Sequence, residues 1–177
     1  SEGLFSLIPA RLKFLKSESS EVSAIRESIE KVALAYPQVG FQLQSDHRVL
    51  LTLRPQSEHD RVKSLLAENE DYPVRKIEIK KENGLSLKLY WVQGLSLANS
   101  RKIIQIVNNR VLRDKTLQQA ILLPFRQTLL PGKYPAILAL LNANPSEMDV
   151  NVHPTKSEIR FLESRKIFSL FDEAIST

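Results

Sequence analysis

At 177 residues with 42% hydrophobic content, the chain is long enough to bury one sizeable core, and its longest apolar run, Ala136 to Leu141, is far short of the about eighteen residues of a membrane span. It has no cysteine, which excludes a disulfide framework, a thiolate zinc site and a thiol nucleophile, and fits the cytoplasm. The net charge of +5 permits a polyanionic partner, and its distribution says more than its sum: five basic residues (Arg101, Lys102, Arg110, Arg113, Lys115) stand against Asp114 alone between positions 101 and 115.

The elements follow from periodicity. Leu4 to Ile8 is apolar and stops at Pro9. Val22, Ile25, Ile29, Val32 and Tyr36 form one stripe of a helix predicted over Ser20 to Tyr36, with Ser19 or Ser20 as cap and Pro37 beyond its end. That apolar face is expected to dock. Alternation at Val39, Phe41 and Leu43, a polar turn over Ser45 to Arg48 and the run Val49 to Leu53 predict a hairpin. Ser57 and Asp60 have the spacing of a capping box, opening a short helix to about Glu70 with Val62, Leu65 and Leu66 inward. Val74 to Lys81 and Leu85 to Val92 flank Asn83-Gly84, a dipeptide suited to a tight hairpin turn.

Ile103 to Val107 reads as a strand ending at Asn108-Asn109, two residues that tolerate left-handed turn geometry. Leu117, Ile121, Phe125 and Leu129 then predict a helix from Asp114 to Leu130, kinked by Pro124. Strands are predicted at Pro135 to Leu141, Met148 to Val152 and Ser157 to Phe161. A last helix, capped by Ser164, carries Ile167, Leu170, Phe171 and Ala174 on one face. Mixed, not strictly alternating elements argue for an α+β fold, one mixed sheet with helices packed on it.

Isolated glycines at 3, 40, 84, 94 and 132 leave no phosphate-cradling loop within the chain. Pro154 stiffens the corner His153 to Lys156 between two strands, so Lys156 is either a solvated loop lysine or a point charge presented to a phosphate oxygen. His153 lacks a second histidine at ligand spacing, and no metal is assigned. Arg110, Arg113 and Lys115 can contact a phosphate backbone or form an ordinary solvated face. Asp71 with Glu78 and Lys80 resembles the acid and acid-x-Lys arrangement of metal-dependent nucleases, whereas the alternating charges around them read as an exposed hairpin face.

Three segments, LFSLIPARLKFL, VNNRVLRDKTLQQAI and DVNVHPTKSEIRF, together resemble the MutL family of DNA mismatch repair proteins, in order and in separation. In the last, Asp149, Asn151, His153 and Pro154 carry the motif around Lys156. At Leu7-Ile8 the chain departs from the Asn-Thr common in the family. The resemblance implies a transducer domain over residues 37–177, with residues 1–36 as the tail of a GHKL-type ATPase domain and a connecting helix, so that the chain is expected to be a fragment. It implies the α+β fold shared by GHKL ATPases and a small-subunit ribosomal protein, including a left-handed crossover. It further implies that Lys156 reaches the ATP γ-phosphate in the full-length protein, and that Arg110, Arg113 and Lys115, with Arg11, Lys13 and Lys16, line a groove for double-stranded DNA. Mg-ATP, a homodimer and a mismatch-recognition partner of the MutS type follow for the full-length protein, with no cofactor, no membrane and no catalysis in this chain alone. A standalone RNA-binding module of the same fold is the alternative, and a metal nuclease the third reading.

Overall fold

Strand pairing gathers the middle of the chain into one five-stranded sheet. The computed structural model describes residues 18–45, 47–67, 71–125, 128–149, 160–161 and 164–176. Helix α1 (Glu18–Ala35) leads into strands β1 (Phe41–Ser45) and β2 (Arg48–Leu53) and helix α2 (Glu58–Leu66). Strands β3 (Val74–Lys80), β4 (Ser86–Leu97), β5 (Ile103–Val107) and β6 (Arg110–Leu112) precede helix α3 (Lys115–Leu122). Strands β7 (Tyr134–Asn142), β8 (Met148–Asp149) and β9 (Arg160–Phe161) and helix α4 (Ser164–Ser176) complete the order.

The sheet runs β3-β4-β7-β5-β6, with β5 parallel to β7 and the other neighbours antiparallel. The mixed sheet of the α+β expectation is therefore present, and β1-β2 and β8-β9 form two further two-stranded sheets. A parallel neighbour cannot be joined by a tight turn, and the path from β5 to β7 accordingly crosses through β6 and α3.

Alternation along the central strands divides the interior in two. Leu87, Leu89, Ile137, Ala139 and Leu141 face Leu117 and Ile121 of α3 and Leu170 and Phe171 of α4. The intervening residues Tyr90, Val92, Ile104, Ile106 and Leu138 face Leu34 of α1 and Val62 and Leu66 of α2. Helices thus cover both faces, and every residue of β5 is buried.

The hairpins form where composition places them, with local differences. Gly84 (φ +85°) alone takes a left-handed conformation at the β3-β4 turn, while the Asn83 side-chain Oδ1 accepts from the Leu85 backbone amide at 3.2 Å. Asn108 and Asn109 both lie at positive φ, which folds the chain straight back into β6, a strand too short to show a pattern. Gly94 (φ +84°) sits where the β4-β7 register shifts, beneath the Tyr72 ring.

Three expectations are corrected. The helix placed at 114–130 ends at Leu122, and a 3-10 turn over Leu123–Phe125 replaces the kink, because the Pro124 ring removes the next donor and stops the regular ladder. Helix α2 stops at Leu66 instead of near Glu70. The stripe on α1 does not dock among the described residues: Ile25, Val32 and Tyr36 are exposed, and the helix buries Ala33 and Leu34 of its last turn instead. The inward face of α4, Ile167, Leu170, Phe171 and Ala174, is as expected.

Arg61, a charge on a short surface helix by sequence, is fully buried. Its Nη2 lies 3.0 Å from the Pro37 and Val39 carbonyls and 2.7 Å from that of Arg54, joining the end of α1 to both ends of the β1-β2 hairpin. The Phe41 ring lies 6.0 Å away. Replacing Arg61 with Met should leave these carbonyls without that donor and cost about 3 kcal/mol, the scale of lost hydrogen bonds to a buried charge. Urea unfolding measures this, and a loss below about 1 kcal/mol would show that the carbonyls are satisfied without it.

Candidate nucleic-acid interface

The basic stretch is held at the C-terminal end and at the middle of β5. At the C-terminal end, the Asn108 side-chain Nδ2 donates to the Ala143 carbonyl at 2.9 Å and its Oδ1 accepts from the Ala143 backbone amide at 3.1 Å, clamping the Asn108-Asn109 turn to the chain just past β7. In the middle of β5, Gln105 is buried in an otherwise apolar run because its carbonyl accepts from the Asp114 amide at 2.9 Å. Asp114, also buried, caps α3 by accepting from the Leu117 amide at 2.7 Å. Arg113 and Lys115 flank this fixed residue and remain exposed.

These side chains lie along a cleft of about 1080 Å³ between α1 and the β5-β6 end of the sheet. Arg101, Arg113 and Lys115 line one wall, with Ser100, Gln105 and Gln118; Ser23, Glu27 and Lys31 line the other. The Glu27 carboxylate accepts from Lys31 one turn along α1 and from Arg113 Nη2 across the cleft at 3.4 Å. Hydrogen bonding to Lys31 holds the Glu27 carboxyl below its ordinary range; partial burial opposes this, and the charges of Lys31, Arg113 and Arg101 add to it. The cleft lining carries four cations (Lys31, Arg101, Arg113, Lys115) and the carboxylate of Glu27 among the described residues. Chemically, it can take an anion.

Of the residues singled out by sequence, the structure brings Arg113 and Lys115 to this cleft, while Arg110 is exposed at the start of β6 and is not part of the lining. Arg11, Lys13, Lys16, Asn151, His153, Pro154 and Lys156 lie outside the described residues. Asp149 pairs with Arg160, and Met148 with Phe161, so the described ends of the two predicted strands pair antiparallel, while residues 150–159 lie outside the described residues. Sequence reading missed Glu27 and Lys31 as partners of the basic stretch. Their i, i+4 spacing is a visible signal, but which wall they face depends on how α1 packs.

The acid-x-Lys pair sits on edge strand β3 with Glu78 held by Lys76 at 3.3 Å and Lys80 at 3.1 Å, an arrangement that leaves its carboxylate engaged by two ammonium groups. Among the described residues no cluster of three or more histidines and carboxylates could hold a metal ion. Tyr90 donates to Glu58 at 2.6 Å while Lys88 approaches the same carboxylate at 3.0 Å, joining β4 to the start of α2. Burial and this bond raise the Tyr90 hydroxyl above its ordinary pKa, so the trio is a joint between elements. Among the described residues no helix is long and apolar enough to cross a membrane.

Asp114→Ala should lower stability by about 1 to 2 kcal/mol through loss of the cap, whereas Asp114→Asn, which keeps an acceptor, should lose less. Denaturant unfolding of both variants checks the order, and equal losses would show that the cap's charge and not its hydrogen bond carries the effect.

Residues 64–177 match the family described as DNA mismatch repair protein, C-terminal domain. The chain is 36% identical over 170 residues to the DNA mismatch repair protein MutL of Neisseria meningitidis serogroup C, covering 94% of this chain and 25% of that protein. It is 31% identical over 172 residues to the MutL of Geobacter sulfurreducens, covering 97% of this chain and 28% of that protein. The chain thus spans about a quarter of the length of these relatives. Among solved structures, the N-terminal domain of a DNA repair protein matches with a TM-score of 0.76 at 18% identity, over 98% of this chain and 58% of that one. The Aquifex aeolicus MutL ATPase domain complexed with ADP matches with a TM-score of 0.64 at 20% identity, over 96% of this chain and 55% of that one. At these identities the structural matches establish a shared fold.

Proposed function

The chain belongs to the MutL family of DNA mismatch repair proteins, and we propose that it serves there as the transducer, residues 37–177, preceded in residues 1–36 by the tail of a GHKL-type ATPase domain and a connecting helix. In this reading the transducer couples nucleotide binding to association of two copies and to closure on double-stranded DNA, in the cytoplasm, alongside a mismatch-recognition protein of the MutS type. Lys156 supplies a compact positive charge to the γ-phosphate of ATP held with magnesium in the ATPase domain. Domain closure then follows nucleotide state by differential contact. By itself the chain is not a catalyst.

The observation that carries the DNA-contacting part is the convergence of Lys31, Arg101, Arg113 and Lys115 on one cleft whose β5-β6 wall is fixed by Gln105, Asp114 and Asn108. The exposed cations Arg101, Arg113 and Lys115 on this frame can neutralise phosphates without reading bases, and each contact contributes about 0.9 to the slope of log affinity against log salt. No aromatic side chain lines the cleft among the described residues, which favours a duplex backbone over stacked single-stranded bases. In this reading Arg110, Arg11, Lys13 and Lys16 also contact the duplex.

In the full-length protein, Lys115→Glu should weaken duplex binding similarly across sequences and flatten the salt slope by about one or more. An unchanged slope removes Lys115 from the interface, and tighter binding to structured RNA than to duplex DNA favours the RNA-binding alternative. Lys156→Ala should lower ATP turnover about tenfold or more, the scale of one charge-assisted contact, with the fold intact by circular dichroism. Wild-type turnover in that variant would overturn the coupling role.

A further inference from the structure

The one carboxylate lining the cleft among the described residues stands where a bound phosphate would compete with it. Glu27 projects from α1 with Lys31 one turn beyond it, the favourable acid-before-base order along a helix. The two pairings of Glu27 differ in kind. The Lys31 side chain is only 14% exposed and stays on the same helix, whereas that of Arg113 is 78% exposed and reaches Glu27 across the cleft at 3.4 Å. Arg113 is the side chain that can leave, and Lys31 is the partner that remains.

We propose that Glu27 is a built-in competitor of the DNA backbone: it engages Arg113 while the cleft is empty and gives it up to a phosphate when duplex DNA enters. The inference rests on the reading of this cleft as a DNA interface and goes beyond it by assigning a role to its acidic residue. The exchange involves few steps. Arg113 rotates from a carboxylate to a phosphate, both of which accept its planar fork. Glu27 retains Lys31 and is not left as an isolated charge beside the incoming polyanion. Because the pair is solvent-accessible, its strength is modest and falls with salt, so Glu27 lowers affinity without blocking the site. The consequence is selectivity by charge density. A polymer offering several phosphates displaces the carboxylate readily, whereas a single anion gains one contact against an existing one.

The test is a mutant cycle in the full-length protein, reading the affinity of a labelled duplex at several salt concentrations for the wild type, Glu27→Gln, Arg113→Gln and the double variant. Glu27→Gln should bind about fivefold more tightly at low salt, the scale of one exposed ion pair, and its slope should steepen by about one. In the Arg113→Gln background the same change should give a much smaller gain. An affinity equal to or below that of the wild type, or an equal gain with and without Arg113, overturns the competition. If Arg113→Gln and Lys115→Glu weaken binding while Glu27→Gln brings no gain, the DNA interface stands and only the competitor role falls; if neither weakens it, the interface reading falls and this inference with it. Should Glu27→Gln fold poorly by thermal unfolding, Glu27→Asp decides: its carboxylate is one methylene shorter and retracts from Arg113, so a smaller gain in the same direction supports the role and no gain overturns it.

Discussion

The hydrogen bond from the Asp114 amide to Gln105 is the contact on which the rest of the basic surface depends. Strand β5 is buried on both faces, so a polar residue in its middle is tolerated only if satisfied. Gln105 meets that requirement with a backbone donor from the segment that leaves β6, and the same residue, Asp114, starts α3 with its side chain. One buried residue therefore fixes strand, strand end and helix start together. Arg113 and Lys115 point outward from either side of it, and the Asn108 clamp to Ala143 fixes the other end of the hairpin. The long flexible cations are mobile at their tips and rigid at their roots, which is how a surface can bind a polyanion of variable sequence at a constant register.

Much of this was legible in the sequence, and the failures have a common cause. Hairpins declared themselves through Asn83-Gly84 and Asn108-Asn109, because positive φ is a local demand that few residues meet. Helix α4 showed its core face because all four residues of the stripe pack against one layer. Periodicity alone makes the helix after Asp114 too long, since Leu129 continues the step of four past Pro124 while the backbone does not. Arg61 was invisible as a core residue: nothing in EHDRVKSLL marks one charge as buried, and only the meeting of three carbonyls from distant positions gives its guanidinium a place. Local demands are written locally, and burial of polar groups is not.

The same distinction separates the two parts of the nucleic-acid reading. The cations at 101 to 115 were visible as a cluster in sequence, yet their number did not distinguish a solvated face from a site. What changes the weight is that Lys31, from a helix seventy positions earlier than Arg101, closes the opposite wall. Residues assembled from distant segments around one opening are harder to explain as incidental solvation than neighbours along a chain. The motif around Lys156 stands differently, since its support is the resemblance of DVNVHPTKSEIRF together with the β8-β9 pairing that brackets it.

Helix α1 shows why an apolar stripe does not by itself say which face is inside. Its stripe, Val22, Ile25, Ile29, Val32 and Tyr36, would ordinarily be the buried one, and instead Ile25, Val32 and Tyr36 are exposed beside an apolar hollow edged by Phe41. The cleft face, Ser23, Glu27 and Lys31, is polar and turned to the basic wall. Burial of Leu34 against the sheet anchors the last turn, and the Glu27 to Arg113 pair ties the middle of the helix across the cleft. Burial thus anchors the last turn of α1, and a salt-sensitive tie crosses the cleft from its middle. The strength of that tie falls as salt rises. In the competitor reading, an anion that takes Arg113 from Glu27 removes one tie between the two walls of its own site.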